Sequence, residues 1–248
     1  MKKGCLIALV IVGLLLAVAG WKIVSMVRKG IEFARELTVV VEDFQQQSDQ
    51  LNQEYPFTEP AEITLTDQQM QQFMSVRRQL NDTLSGSPVA QKMKEFEQMD
   101  DTGSNPSFKD FAELLSNIIP SVKQVGAVYF ENLQEQQISP DQYNYTTSIV
   151  IGVLSRELNQ GNFKDEISDD FSINIRQMML EAEQKNSEIY QIKQKILVME
   201  PENYNGLLEI ITPYVAEFGD IEESFYFDMF IGGDFAEFQT HNTYQTDR

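Results

Sequence analysis

The chain has 248 residues, with 38 acidic side chains against 19 basic ones, a formal net charge of −19, one histidine and one cysteine. A field of that sign repels phosphate backbones and excludes nucleic acid as a natural partner. A single cysteine gives no disulfide framework, and with one histidine the usual zinc ligand sets cannot be assembled.

The first informative stretch is Gly4 to Trp21, an uncharged apolar run of 18 residues. That length is at the lower limit for a bilayer-spanning helix. Lys2 and Lys3 precede it, and Ala17-Val18-Ala19 has the small-x-small form of a signal-cleavage site, so secretion after cleavage behind Ala19 is one reading. The apolar pattern continues through Ile23, Val24, Met26 and Val27, with Trp21 suited to the membrane interface and Lys22 able to snorkel. This favours an uncleaved anchor over residues 1–27. Lys22, Arg28, Lys29 and Arg35 follow the run, so the positive-inside rule does not decide its orientation; the short basic tail before it favours a cytoplasmic N-terminus and a body on the periplasmic or exterior side. Cys5 lies at the start of the run and reads as a small apolar residue of the span.

Residues 28–56 read as an amphipathic helical stalk. Phe33, Leu37, Val40, Val41, Phe44, Leu51 and Tyr55 recur at three- and four-residue steps, as in a helix packed on another helix. Pro56 and Pro60 end it. Residues 57–218 read as the helical domain. Thr66 with Gln69 forms a capping box for a helix to Leu84, with Met70, Phe73, Met74 and Leu80 on its apolar side. A short charged helix follows from Ser87 to about Met99, and Asp100 to Ser104 reads as a loop. The next stripe runs from Pro106 to about Glu135, with Pro120 expected to kink or split it. Ser139-Pro140 starts a helix to Leu158, closed by Asn159-Gln160-Gly161-Asn162. One long helix is expected from about Asp165 to Met199, and another from Glu202 to Phe218, bent at Pro213 and closed by Gly219. No stretch alternates long enough to argue for a sheet. The expected fold is all-α: one N-terminal transmembrane helix and a multi-helix, bundle-like body.

Residues 219–248 form an acidic aromatic C-terminal segment. Its rings and carboxylates are too many for one helix face, so it is either wrapped into the core or a dock for another protein. The candidate partner-binding residues are Phe225, Phe227, Phe230 and Phe235, with Asp228 and Asp234 among them.

Catalytic equipment is sparse. His241 is seven residues from the end and reads as solvated, so Ser-His-Asp and Cys-His sites lack a base. Nucleotide-binding glycine loops and the Glu-x-x-His motif of di-iron bundles are missing. The acidic clusters Asp100-Asp101, Asp165-Glu166, Asp169-Asp170 and Asp220-Glu222-Glu223 read as helix-start or surface charge, without calcium-loop spacing. The expectation is a non-enzymatic interaction or assembly module with no catalytic residue, cofactor or metal. Its partners are the membrane, through the N-terminal helix, and an envelope protein; the acidic surface reads either as a self-repelling, soluble face or as one that meets a basic partner. The alternatives are a ligand-sensing bundle and a hydrolase built on carboxylates alone.

Overall fold

The computed structural model describes residues 23–101, 108–221 and 224–225. They are helical, with no strand among them. The elements are α1 (Ile23–Glu54), α2 (Asp67–Ser85), α3 (Pro88–Asp101), α4 (Phe108–Gln136), α5 (Pro140–Gln160), α6 (Asp169–Lys185), α7 (Glu188–Leu197), α8 (Pro201–Ile211), a 3-10 turn at Thr212–Tyr214 and α9 (Val215–Asp220). The apolar run Gly4–Trp21 lies outside the described residues. Among those described, no helix is long and apolar enough to cross a membrane.

The predicted helix starts form as their chemistry requires. The backbone N–H of Gln69 donates to the Thr66 hydroxyl at 3.2 Å, and the Gln69 side chain accepts from the Thr66 N–H at 2.9 Å. Two N–H groups that an isolated first turn would leave free are thereby satisfied. Ser139 accepts from Gln142 N–H at 3.1 Å and Pro140 takes the first helical position. Gly161 closes α5 with φ 87°, a left-handed conformation that glycine adopts without a Cβ penalty.

α4 is the spine of the body. α1 lies parallel to it: Phe44 packs on Gly126 and lies 5.6 Å from the Phe130 ring, while Asn52, two turns further on, exchanges hydrogen bonds with Asp141 just beyond the end of α4. α2 runs the other way, beginning beside Gln136, whose carbonyl accepts from Gln72 at 2.9 Å. α3 continues in that direction, with Lys92 reaching Asp110 at 3.3 Å and Glu113 at 3.1 Å. Residues from Val125 to Leu133 of α4 enter the main core. The N-terminal half of α4 forms a hairpin arm with α3, burying Phe96, Leu114 and Ile119. Val40 and Leu51 of α1 are also buried, so the C-terminal half of the stalk helix is part of the packed body.

α5 is enclosed. Tyr143, Ile149, Val150, Val153, Leu154 and Leu158 are buried as the stripe predicts, and so are Thr146, Thr147, Ser148, Ser155 and Glu157 from its other faces. α7 packs closely on it at Gly152, where a Cβ would press on the Ile196 side chain.

Four expectations are corrected. The long helix expected from Asp165 to Met199 is two helices. Asn186 takes a left-handed conformation at φ 50°, and the Ser187 N–H turns back to the Ala182 carbonyl at 3.0 Å, which ends α6 before α7 begins. Pro120 does not split α4; its side is exposed, where water can serve the carbonyl that loses its partner. Asp100 and Asp101 are the last residues of α3 rather than a loop. Gly219 does not close the last helix but lies inside α9, which ends at Asp220, while at Pro213, where a bend is expected, the α-helix gives way to the 3-10 turn.

Candidate functional site

Of the six candidate partner-binding residues, Phe225 is described and is a core side chain, 2% exposed. Phe227, Asp228, Phe230, Asp234 and Phe235 lie outside the described residues, as does His241. Phe225 enters a seat built by rings from three helices. Its ring lies 5.1 Å from Phe171 of α6, 5.9 Å from Phe218 of α9 and 6.4 Å from Phe73 of α2, each edge to face. That geometry brings the positive ring edge to a neighbouring π face.

Arg77 organises this seat. It is fully buried on α2, and its guanidinium lies 4.1 Å from the centre of Phe225, 4.9 Å from Phe73 and 5.3 Å from Tyr143. One terminal nitrogen donates to the Ser224 carbonyl at 2.8 Å, the other to the Thr147 hydroxyl at 3.4 Å. A guanidinium is weakly hydrated and planar, so it tolerates aromatic faces where an ammonium would not. The arrangement holds the start of the C-terminal segment against α2 and α5. Sequence reading overlooked Arg77, because an Arg77-Arg78 pair on a helix reads as solvated surface. Arg78 does lie on that surface, forming a bidentate pair with Glu217 of α9 that holds the glutamate below its usual pKa.

A second buried polar group fastens the far end of α5. Glu157 accepts from the Tyr204 hydroxyl on one oxygen and from Asn162 at 2.6 Å on the other. Arg156 lies 3.7 Å over the Tyr204 ring and donates to the Ile196 carbonyl at 2.8 Å. Burial and the adjoining carboxylate push the Tyr204 hydroxyl pKa upward. One Glu157 oxygen thus ties α5 to α8 through Tyr204, and the other holds the turn that follows α5 through Asn162.

A third cluster lies under the strap between α1 and α2, residues 55–66. Phe57 packs on Tyr145 at 5.2 Å, Thr64 N–H donates to the Tyr145 hydroxyl at 3.3 Å, and Glu59 pairs with Lys195 at 2.9 Å. Glu188, nearby on α7, has its pKa raised by partial desolvation and by the charges of Glu59 and Asp141. A recess of about 210 Å³ beside the strap is lined by Ile63, Lys195, Met199 and Asn203 among others. This is below the usual size of a small-molecule site.

Among the described residues, no group of three or more His, Cys, Asp or Glu converges as a metal site would. Asp169 and Asp170 occupy the first turn of α6, where the helix dipole favours them. No protein-family model matches the chain, and no curated protein or solved structure matches it significantly.

Proposed function

We propose that this protein is a membrane-anchored, extracytoplasmic helical module that assembles with another envelope protein and carries out no chemistry of its own. The observation behind the reading is the uncharged run Gly4–Trp21 ending directly before α1, whose far half is packed into the body. A span continuous with such a helix holds the body close to the bilayer. The charge distribution supports a basic partner, since −18 of the net −19 falls on residues 61–248. The polar groups inside the body favour a structural role: Arg77 seats the C-terminal segment and Glu157 ties α5 to α8. Beyond Phe225, the rings and carboxylates at Phe227, Asp228, Phe230, Asp234 and Phe235 are the proposed contact for the partner.

The test is extraction of the tagged full-length chain in mild detergent, with native mass and co-purifying chains read together. A second chain in fixed stoichiometry supports assembly; a lone monomer overturns it. The intact mass separates the two fates of the N-terminus, because cleavage behind Ala19 would release a secreted protein.

A further inference from the structure

We infer that the recess between the strap and the α7–α8 turn is a docking point for another protein, and that its occupant is an arginine side chain carried on an apolar segment. The inference rests on the assembly reading above and gives its partner a contact on the described body.

The recess adjoins an exposed apolar turn. Ile192 and Ile196 are buried, with Ile196 pressed against α5 at Gly152, and this fixes which side of α7 faces inward. Leu197 and Val198 are turned outward as a result, 45% and 83% exposed, before Pro201 starts α8. Val39 and Leu180 are also exposed, each singly on its helix, and scattered apolar residues need no explanation. At Leu197–Val198 the next residue, Met199, lines the recess.

Its size and lining select one kind of guest. At about 210 Å³ it suits a single side chain. Ala61, Ile63 and Met199 give apolar walls, while Glu62, Glu200 and Asn203 give carboxylate and amide oxygens. A long aliphatic stem with a cationic head matches both kinds of surface. Arginine fits better than lysine, because its planar fork carries five donors for oxygens that approach from different sides. Arginine is also among the residues that most often anchor an interface by filling a pocket.

The charge has the matching sign when every bordering element is counted. The strap brings Glu59 and Glu62, the start of α8 brings Glu200 and Glu202, and α7 brings Lys193 and Lys195. Glu59 and Lys195 pair at 2.9 Å and offset one another. Arg156 of α5 is engaged by the Tyr204 ring and the Ile196 carbonyl. The partial positive charge at the start of α8 is offset by Glu200 and Glu202. Glu62 and Glu200 are exposed and pair with no cation among the described residues. Further along, Glu188 and Asp141 add charge of the same sign. A cationic guest is drawn to this rim and an anionic one is repelled.

The test titrates the full-length chain in detergent micelles, methyl-labelled at isoleucine, valine and methionine, with the tripeptide acetyl-Leu-Arg-Leu-amide. The methyl signals of Ile63, Val198 and Met199 should shift saturably below about 20 mM, the range of a single anchored side chain. Citrulline in place of the arginine keeps the shape and removes the charge. It should bind at least about threefold more weakly, as should the arginine peptide to Glu62→Gln, Glu200→Gln protein. Unchanged signals from the buried Ile192 and Ile196 would show that this variant keeps its fold. Absence of saturable shifts, equal binding of the citrulline peptide, or tighter binding of acetyl-Leu-Glu-Leu-amide would each overturn the proposal. So would a Val198 signal that moves with protein concentration alone, because a second copy of the chain would then cover the turn. The titration and the co-purification fail separately: a lone monomer in detergent leaves peptide binding standing, and missing peptide shifts remove the recess but not the assembly.

Discussion

The Arg77 guanidinium and the Ser224 carbonyl, 147 residues apart in sequence, meet at 2.8 Å inside the body, with the Phe225 ring covering the cation. Removing the cation leaves a buried carbonyl without this donor and three aromatic faces around a void. Arg77→Leu should therefore cost about 3 kcal/mol or more. Arg77→Lys keeps the charge but loses the planar fork, and should recover only part of that loss. Urea unfolding followed by far-ultraviolet circular dichroism measures both. A double-mutant cycle with Phe225→Leu should return about 1 kcal/mol of coupling. Additive single effects would show that the ring and the cation do not interact.

The same seat predicts a difference between two truncations. A chain ending at Phe225 retains Ile221, Ser224 and Phe225, which are all buried. A chain ending at Asp220 loses them and exposes Phe73, Phe171 and Phe218. Loss of a buried phenylalanine costs about 3–5 kcal/mol, so the shorter chain should melt about 10 °C lower. Equal melting temperatures would mean that the Phe225 seat adds nothing to stability.

Much of this frame is legible in the sequence because it is written in local chemistry. Thr66 with Gln69, Ser139 with Pro140, and Gly161 each satisfy or shape backbone groups within a few residues, so their effect does not depend on the rest of the fold. The break at Asn186 is harder to read. Asparagine tolerates a left-handed conformation without demanding it, and the apolar stripe of α6 resumes in α7 almost in phase. The enclosure of α5 is hidden because Thr146, Thr147, Ser148 and Ser155 read as a solvated face when neighbours are unknown. Arg77 is illegible for the same reason: only the fold shows that its face of α2 meets Tyr143 and Phe225. Phe225 itself could be read as core or as dock, and the packing of Phe171 and Phe218 around it decides for core.

The parallel pairing of α1 and α4 depends on Gly126. A Cβ at that position would overlap the Phe44 ring, which rests directly on the glycine. Gly126→Ala should push the two helices apart and cost about 1–3 kcal/mol. Truncating the opposing ring creates the missing space, so Gly126→Ala with Phe44→Ala should be less destabilised than the sum of the single changes. Strict additivity in thermal unfolding would show that the close approach does not govern the pairing.

Two surface carboxylates should give opposite pH signatures. Arg78 lowers the pKa of Glu217 by hydrogen bonding and charge, with partial burial opposing it. The contribution of Glu217 to stability is therefore present above the ordinary glutamate value of 4.5 and is lost as pH falls through its lower folded value. Glu188 behaves in reverse. Desolvation first, then Glu59 and Asp141, raise its folded pKa, so its charged form opposes folding near neutrality and the penalty fades as pH falls through that raised value toward 4.5. Glu217→Gln should lower stability at pH 7 by about 0.5 kcal/mol, and Glu188→Gln should raise it by a few tenths, both modest because the groups are partly solvated. Both differences should shrink in acid: that of Glu188→Gln below about pH 4.5, that of Glu217→Gln further down. Urea midpoints across pH 3 to 8 would show this, and a Glu188→Gln variant less stable than the parent at neutral pH would mean that its carboxylate is stabilised rather than strained by its neighbours.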